Sequence, residues 1–537
     1  MNKKGDMADK IRRITPRLIS QPYLRYYWCV IVLLSVVIAI GVELWITRHG
    51  PGAAGDSVHY MQGAENLVAG NGFSRFKGNG QVVPITGFPP GFSLALAGLN
   101  LFGLPVFDAA RYFNAILFGL SAALVGLLVY RATRSGLLAI VGCWLFIFAR
   151  NIVLIYAWVM SEPLFIFLSL LSILLLVYYL EAGKHWILIL LSLVIGYAAL
   201  TRYVGLALIP TTFLAILLLS DRKAALRWKD AILAGLVSLV PVGIWFWHNA
   251  QVSGNIVNRQ FIYHPISKGL IFTLFDELSY WWFAPSLGLP WRLRWLLLSL
   301  FVLVGIGIFL HARRQKDRAL TGNTVSPIPA IISIFGFFFI LALLLNTSFI
   351  DASTDEPSIK RYVIPLVVIG IIWFLSSYSL FGWHGWRKSL NILILLPIGF
   401  GMSLFYASKS VPFILHPGYN FGYTDDRQAW TCEVNLLQTL DPQQVLLTND
   451  YELFYFLAGR PAYRVTGIYD PYLGRDAVDL EESINSARDM LYEGAILATL
   501  GNPDQYDNTV NSLIGDLGLQ ISAGCSHLRL YALPASP

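Results

Sequence analysis

Two acids and two arginines stand at the edges of long apolar stretches in this chain. Asp56 follows the first apolar stretch and Glu162 begins a later one, while Arg202 and Arg361 border two others. Charged groups at a membrane edge are costly to hold, so they are candidates for function. A carboxylate can take a proton from a hydroxyl, and a guanidinium can bind phosphate oxygens as a fork. These residue types would suit the displacement of a phosphate by a hydroxyl.

Each of these residues also has an ordinary structural explanation. Asp56 comes at the start of a predicted helix over 57–67, where an Asp is a common cap. Glu162 precedes Pro163, and an acid with a proline in the first turn is usual helix-start chemistry. Arginines at span ends often reach towards lipid headgroups. The residues by themselves leave both explanations open.

The composition predicts a membrane protein. Of the 537 residues, 56% are hydrophobic and only 13% are charged, against about 25% charged in soluble proteins. A span needs about 20 apolar residues. On that basis we predict eleven spans, near 27–47, 107–130, 136–150, 162–180, 185–200, 203–220, 231–248, 293–311, 328–346, 361–380 and 389–406. The apolar stretch 92–101 is too short to cross and is predicted to lie in the interface.

The orientation follows from the basic residues, which favour the cytoplasmic side. They occur in the N-terminal segment and then in every second loop: Lys3, Lys4, Lys10, Arg12, Arg13, Arg17, Arg131, Arg134, Lys184, Arg222, Lys223, Arg227, Lys229, Arg313, Arg314, Lys316, Arg318, Arg387 and Lys388. This predicts a cytoplasmic N-terminus in a plasma-membrane protein. The first apolar stretch is full-length and without a cleavage site, so it is predicted to be a retained signal anchor. Asp56, Glu162, Arg202, His248 and Arg361 then all lie on the outer side.

Two domains are predicted, a membrane domain over 1–406 that includes a first outer loop at 48–106, and an outer domain over 407–537. From residue 408 onward the chain has 16 acidic and 7 basic residues, whereas the remainder has a net charge of +16. The overall net charge of +7 is therefore no argument for nucleic-acid binding. Apolar runs at 444–448, 495–499 and 528–533 predict strands, and Asn449 is expected to cap a helix over 452–457. These elements predict a small α/β domain.

The four cysteines divide between the two domains. Cys29 and Cys143 lie inside predicted spans, and Cys432 and Cys525 lie in the outer domain. Two cysteines in an oxidising compartment favour one disulfide, although two unpaired thiols are an equal alternative from the sequence alone. No cysteine pair has the spacing of zinc ligands.

Seven short motifs resemble those of a known family when taken in order along the membrane domain. They are Gly-Asp-Ser-Val-His-Tyr (55–60), Ala-Glu-Asn-Leu (64–67), Gly-Asn-Gly (70–72), Phe-Pro-Pro-Gly (88–91), Met-Ser-Glu-Pro-Leu-Phe (160–165), Leu-Thr-Arg-Tyr (200–203) and Lys-Arg-Tyr-Val-Ile-Pro (360–365). The chain thereby resembles the GT-C superfamily of polytopic glycosyltransferases, which includes protein O-mannosyltransferases and lipid A aminoarabinose transferases. Members transfer a sugar from a polyprenyl-phosphate carrier on the outer side of the membrane. The motifs say little about the outer domain.

The resemblance implies a set of residue roles. Asp56 would be the general base of an inverting transfer to an acceptor hydroxyl, and Glu162 would belong to the same catalytic site. Arg361, Arg202 and Lys360 would bind the donor phosphate. Residues expected to line a substrate cleft are His59, Tyr60, His248, Asn249, Tyr263 and His264.

Two positions depart from the family pattern. Ser57 stands where many members have a second acid, and His248-Asn249 stands where many have Arg-Asn. An aromatic belt with a polar end is the simpler explanation of His248. No cofactor is certain, and a divalent cation bridging Asp56, Glu162 and His59 is left open.

Other classes of protein remain alternatives. A transporter would place charged or broken-helix sites near the middle of the membrane and often show two related halves, and neither is evident here. An O-antigen ligase or polymerase would also act on lipid-linked sugars, but it would not explain the acid in the first outer loop together with the motifs at 88–91 and 360–365. An inactive relative acting as a scaffold is a third alternative. The sugar, the glycan, lipid or protein acceptor, and the oligomeric state are not specified by the sequence.

Overall fold

The structure is a computed structural model of the chain. It describes residues 24–534 except for 79, 258–260, 262, 264, 267, 283–287, 298, 300–325, 350–355, 378–385, 416–421, 425–429, 466–468, 471–474, 477–479 and 502–506.

Helices dominate the membrane half of the chain. Helix α1 (Leu24–Ile46) is followed by a first outer loop with α2 (Gly55–Val68), a hairpin of β1 (Ser74–Phe76) and β2 (Val82–Pro84), and α3 (Gly91–Asn100). The remaining helices of this half follow in order: α4 (Val106–Thr133), α5 (Gly136–Phe148), α6 (Arg150–Tyr156), α7 (Glu162–Ala182), α8 (His185–Thr201), α9 (Leu208–Leu219), α10 (Ala224–Ser253), α11 (Lys268–Trp282), α12 (Ile328–Phe349), α13 (Glu356–Ser376) and α14 (Trp386–Leu415).

The predicted helical membrane fold is confirmed, while the count of eleven spans stays a prediction. Ten of the predicted spans coincide with described helices, and the eighth, 293–311, lies mostly outside the described residues. By length and composition, six described helices could cross a membrane, or seven if α5 and α6 form one span bent by 64°. Helices α3, α8, α9 and part of α13 are apolar but shorter.

Small residues let the first membrane helices pack closely. A Cβ atom on Gly126 of α4 would lie 2.5 Å from the Cys143 sulfur of α5, and one on Gly119 would lie 2.8 Å from Ile40 of α1. Close packing of this kind is how membrane helices associate without a hydrophobic driving force between them. Helix α4 in turn contacts α2, which carries Asp56, and α7, which begins at Glu162.

The tail forms a small α/β domain built on one mixed sheet. Its helices and strands are α15 (Thr431–Gln438), β3 (Leu446–Thr448), α16 (Tyr451–Ala458), β4 (Tyr463–Arg464), β5 (Tyr469–Asp470), β6 (Arg475–Asp476), α17 (Leu480–Tyr492), β7 (Ile496–Leu500), α18 (Asn508–Asp516), β8 (Gln520–Gly524) and β9 (Leu528–Ala532). Five strands form the main sheet in the order β4-β3-β7-β9-β8, with β3 parallel to β4 and β7, and β9 antiparallel to β7 and β8. All three predicted strands are present in it. The predicted boundary at 406/407 falls within α14, which continues to Leu415.

The prediction that Asn449 caps the next helix is wrong by one residue. Asp450 is the N-cap of α16, and its carboxylate accepts a hydrogen bond from the Leu453 amide at 2.9 Å. Asn449 instead pairs with the backbone of Leu500, donating to its carbonyl and accepting from its amide at 2.8 Å each. Both side chains are good caps, and the need to satisfy the end of β7 decides between them.

A disulfide joins Cys432 in α15 to Cys525 before β9, with Cα atoms 6.0 Å apart. It ties the helix that opens the tail domain to the last hairpin of the sheet. Cys29 and Cys143 are free thiols.

Candidate active site

Three distant parts of the chain meet in the strand-like segment just before α2. Gly52 exchanges backbone hydrogen bonds with Ala157 and Val159, both at 2.8 Å, in the loop that leads into α7. On its other side, Ala53 pairs with Gly422 at the start of the tail. Gly422 has φ +62°, and a Cβ there would lie 2.3 Å from the Ala53 carbonyl, so this junction requires glycine. The pairing aligns the start of α2 with the start of α7.

Asp56 does not cap α2. Ala54 is the N-cap residue, and the Ser57 hydroxyl accepts a hydrogen bond from the Ala54 amide at 3.0 Å. The Asp56 carboxylate instead accepts a hydrogen bond from Arg361 Nη2 at 3.0 Å. Ser57, which replaces the second acid of many relatives, therefore completes the helix start and leaves Asp56 for another role.

Glu162 is the fixed anion at the centre of the site. Its side chain is 1% exposed, and its Oε1 atom lies 2.9 Å from Arg202 Nη1 and 2.9 Å from Arg361 Nη2, and accepts from Arg361 Nε at 3.0 Å. Arg361 Nη2 therefore joins Glu162 and Asp56. A carboxylate this deeply buried needs such partners, because an unpaired charge would be strongly destabilising. We refer to Asp56, Glu162, Arg202 and Arg361 as the charge cluster.

The two arginines face inward, against the expectation for residues that reach to lipid headgroups. Arg361 is 27% exposed and Arg202 is 17% exposed. Arg202 also donates to the Ser161 hydroxyl at 3.0 Å and stacks over the Tyr362 ring at 5.6 Å. Their remaining exposed surface leaves room for a further anion at the edge of the cluster.

The divalent cation that would bridge Asp56, Glu162 and His59 stays a prediction. Asp56 Oδ2 and Glu162 Oε1 are both engaged by Arg361, whereas Glu162 Oε2 is buried and accepts no hydrogen bond from the described residues. His59, the third candidate ligand, pairs with Glu452. Among the residues that the structure describes, no three His, Cys, Asp or Glu side chains form a metal-binding group.

Tyr60 connects α2 to the α7 start. Its hydroxyl lies 3.1 Å from the Ser161 hydroxyl, and its backbone carbonyl accepts from Ser93 at 2.9 Å. Its ring packs edge-on against Phe88 and Phe92 of the 88–91 motif region. Tyr60 therefore connects α2 to α3 and to the residue that precedes α7, and its hydroxyl is buried.

The tail domain contributes residues that no sequence motif indicated. Glu452 in α16 lies 3.4 Å from His59 Nε2 and 3.8 Å from Arg464 Nη1. Next to it, the Tyr451 hydroxyl donates to the Phe76 carbonyl at 2.6 Å and accepts from Gln62 at 3.0 Å. Helix α16 therefore docks on the helix that carries Asp56. A Glu in the first turn of a helix is common, so the sequence alone does not single out Glu452. Only the docking of α16 on α2 shows that Glu452 lies next to His59.

Several carboxylates lie near this contact, together with Arg464. Burial, together with the negative charges of Asp450, Glu452 and Asp56, raises the pKa of Tyr423. The pKa of Tyr423, at the start of the tail, is therefore affected by carboxylates of both domains. Carboxylates are hydrogen-bond acceptors for hydroxyl groups.

We expect Glu452→Gln to loosen the docking of the tail. Burial alone would raise the pKa of Glu452 from 4.5, but the hydrogen bond from His59 and the charge of Arg464 outweigh it and lower that pKa to about 2. Because the folded-state pKa is lowered, the stabilisation is complete above the ordinary value and is lost as the pH falls towards 2. Hydrogen exchange of the α16 amides at pH 7 should be about 5- to 30-fold faster in the variant.

The pH dependence of the exchange and a control variant test whether the effect comes from the Glu452 carboxylate. The difference between the variant and the wild type should persist down to pH 5 and shrink below the ordinary Glu pKa of 4.5. Glu493→Gln, at an exposed tail position, should exchange like the wild type. Equal exchange of α16 in all three proteins would contradict the role of Glu452.

Three other residues predicted to line the cleft, His248, Asn249 and Tyr263, have contacts with residues outside the charge cluster. His248 is exposed and stacks on Trp245 at 5.5 Å, while the buried Asn249 donates to the Thr86 carbonyl at 3.2 Å and to the Ile256 carbonyl at 3.0 Å. Tyr263 is exposed and packs on Phe349. His264 and the side chain of Lys360 lie outside the described residues.

Comparison with known proteins agrees with this fold. Residues 80–253 match the family model of the dolichyl-phosphate-mannose-protein mannosyltransferases. That range contains Glu162 and Arg202, and it excludes Asp56 and Arg361. No curated protein sequence matches the chain.

Solved structures match nearly the whole chain. ArnT from Cupriavidus metallidurans, bound to undecaprenyl phosphate, has a TM-score of 0.57 at 14% identity, over 94% of this chain and 98% of that one. Its apo form has a TM-score of 0.51 at 14% identity over the same shares. The mycobacterial arabinofuranosyltransferase AftD has a TM-score of 0.51 at 13% identity, over 94% of this chain and 40% of that one.

The fold is therefore similar to that of these membrane glycosyltransferases, which confirms the resemblance to the GT-C superfamily predicted from the sequence motifs. The identities are low, so the structural likeness establishes the fold, and activity has to be argued from the site.

Proposed function

We propose that this protein is a membrane glycosyltransferase that moves a sugar from a polyprenyl-phosphate donor to an acceptor hydroxyl with inversion. One observation carries the proposal: Arg361 lies 3.0 Å from Asp56 and 2.9 Å from Glu162, which puts a phosphate-binding group beside a candidate base. The family model and the solved relative bound to undecaprenyl phosphate favour the same substrate class.

The reaction assigns a different task to each member of the charge cluster. The acceptor oxygen bonds to C1 of the sugar as the bond from C1 to the phosphate oxygen breaks, and the acceptor proton passes to Asp56. The bonding electrons leave with the polyprenyl phosphate, whose charge Arg361 and Arg202 stabilise, with Lys360 as an additional cation. Glu162 keeps the two guanidinium groups oriented and balances their charge.

The site is proposed to face the outside of the plasma membrane, with the N-terminus cytoplasmic. The tail domain then lies outside, where its disulfide is expected to persist. The acceptor, whether a glycan, a lipid or a protein, would enter between the first outer loop and the tail. The sugar is proposed to be a hexose or pentose, with a mannosyl donor as the first to test because of the matching family model.

Two matched lysine positions test the orientation. Lys77 and Lys223 are both exposed, one in the first outer loop and the other in a predicted inner loop. In a background of Cys29→Ser and Cys143→Ala, Lys77→Cys should react with a membrane-impermeant thiol reagent in intact cells, or in spheroplasts if an outer membrane intervenes. Lys223→Cys should react only after permeabilisation, because short basic loops stay inside. Reaction of Lys223→Cys in intact cells would reverse the proposed orientation.

The function itself is tested with the purified full-length protein in lipid nanodiscs. Supplied with mannosyl- and pentosyl-phosphopolyprenol and a mixture of envelope glycans, lipids and peptides, it should release polyprenyl phosphate and form a glycosylated product detectable by mass spectrometry. Solute uptake by proteoliposomes without sugar transfer would instead indicate the transporter alternative. Polymer growth from a pyrophosphate-linked glycan would indicate the ligase or polymerase alternative.

A further inference from the structure

The charge cluster is electrically balanced as it stands. Its carboxylates, Asp56 and Glu162, match its guanidinium groups, Arg202 and Arg361, two for two. A donor that links a sugar to a lipid through a phosphodiester carries one negative charge. The cluster therefore offers it no net attraction while all four side chains remain paired.

The two carboxylates are held very unequally. Glu162 is 1% exposed, accepts from Arg361 and forms an ion pair with Arg202 at 2.9 Å, whereas Asp56 is 31% exposed and, among the described residues, forms an ion pair only with Arg361. Removing Glu162 from its partners would leave a buried charge unpaired, which is strongly unfavourable. Releasing Asp56 costs much less, because water or a substrate hydroxyl can replace the lost contact. Asp56 is therefore the exchangeable partner of Arg361.

The reaction also requires this contact to break. A base needs to lie within about 3 Å of the acceptor oxygen, which itself approaches C1 from the side opposite the leaving phosphate. Asp56 Oδ2 instead points at Arg361 Nη2, the group assigned to that phosphate.

We propose that the donor phosphate displaces Asp56 from Arg361, so that binding of the donor itself frees the base. Arg202, Arg361 and Glu162 then present one net positive charge to the phosphodiester, and Asp56 turns to the acceptor. This proposal rests on the proposed function and adds an order of binding to that function: the donor binds before the acceptor can be activated. Until the donor phosphate binds, Asp56 competes with it for Arg361.

The proposal predicts that losing the base strengthens donor binding. Asp56→Asn removes the competing charge while keeping the size of the side chain, so its affinity for undecaprenyl phosphate should rise by about three- to tenfold. Glu65→Gln is the matched control, because Glu65 is an exposed acid on the same helix α2; its affinity should equal that of the wild type. Dissociation constants would be measured with the radiolabelled lipid phosphate and the full-length protein in detergent.

Two further ligands separate the phosphate from the lipid. Undecaprenol, which lacks the phosphate, should bind wild type and Asp56→Asn equally, and inorganic phosphate should show the same preference for Asp56→Asn more weakly.

Asp56→Ser would replace the Asn variant if that one does not fold. Unchanged or weaker binding of undecaprenyl phosphate to the Asp56 variant would overturn the proposal, as would an equal gain in Glu65→Gln. Transfer activity is measured separately, so a variant that is inactive but binds no tighter would refute the displacement and leave the proposed function intact.

Discussion

Replacing Asp56 by Asn should lower the rate of sugar transfer by about 100- to 10,000-fold, the range usual for loss of a general base. The amide can still accept a hydrogen bond from Arg361 but cannot take the acceptor proton. Because Ser57 and Ala54 complete the start of α2, the substitution should leave the helix intact. The measurement is the release of polyprenyl phosphate by the purified variant at saturating donor.

The controls separate chemistry from folding. The melting temperature and elution volume of Asp56→Asn should match those of the wild type, and Glu65→Gln should keep full activity. Transfer at the wild-type rate by a well-folded Asp56→Asn protein would remove Asp56 from the catalytic role. Activity lost equally in Glu65→Gln would indicate a general effect of charge on α2.

Hydropathy and charge predicted much of the membrane domain because these signals are local. Long apolar runs such as those of α1 and α7 leave few alternatives to a membrane helix. The distribution of Lys and Arg placed Asp56, Glu162 and Arg361 on one side of the membrane, so their proximity was expected. The contact between them was not derivable, since Arg361 is 305 residues from Asp56 in the chain.

Several features of the site depend on contacts that no local pattern encodes. Asp56 and Ser57 are both suitable residues for the start of a helix. Only the contact with Arg361 shows that Asp56, and not Ser57, belongs to the charge cluster. Asn449 and Asp450 compete in the same way at α16, and the pairing of Asn449 with Leu500 at the end of β7 decides the outcome. Glu452 carries no motif at all. Its pairing with His59 arises because the tail domain folds back onto the first outer loop.

Arg361 provides the sharpest test of phosphate binding, because lysine and alanine remove different parts of its contribution. Arg361→Lys keeps the charge but loses the fork that reaches Glu162 through Nε and Nη2 and Asp56 through Nη2. Arg361→Ala loses both. We expect donor affinity to fall by about 10- to 100-fold in the Ala variant and by an intermediate amount in the Lys variant, since a hydrogen bond to a charged group contributes about 1.5–3 kcal/mol.

The matched control is an arginine at the outer end of a span with a different environment. Arg48 follows α1, stacks over the Trp45 ring at 4.8 Å and donates to the Trp45 carbonyl, as expected of a side chain that settles in the interface. Arg48→Ala should therefore bind undecaprenyl phosphate like the wild type. If the Lys and Ala variants of Arg361 also bound it like the wild type, Arg361 would be only a structural partner of Glu162. The donor phosphate would then have to bind elsewhere, and the displacement of Asp56 would lose its cause.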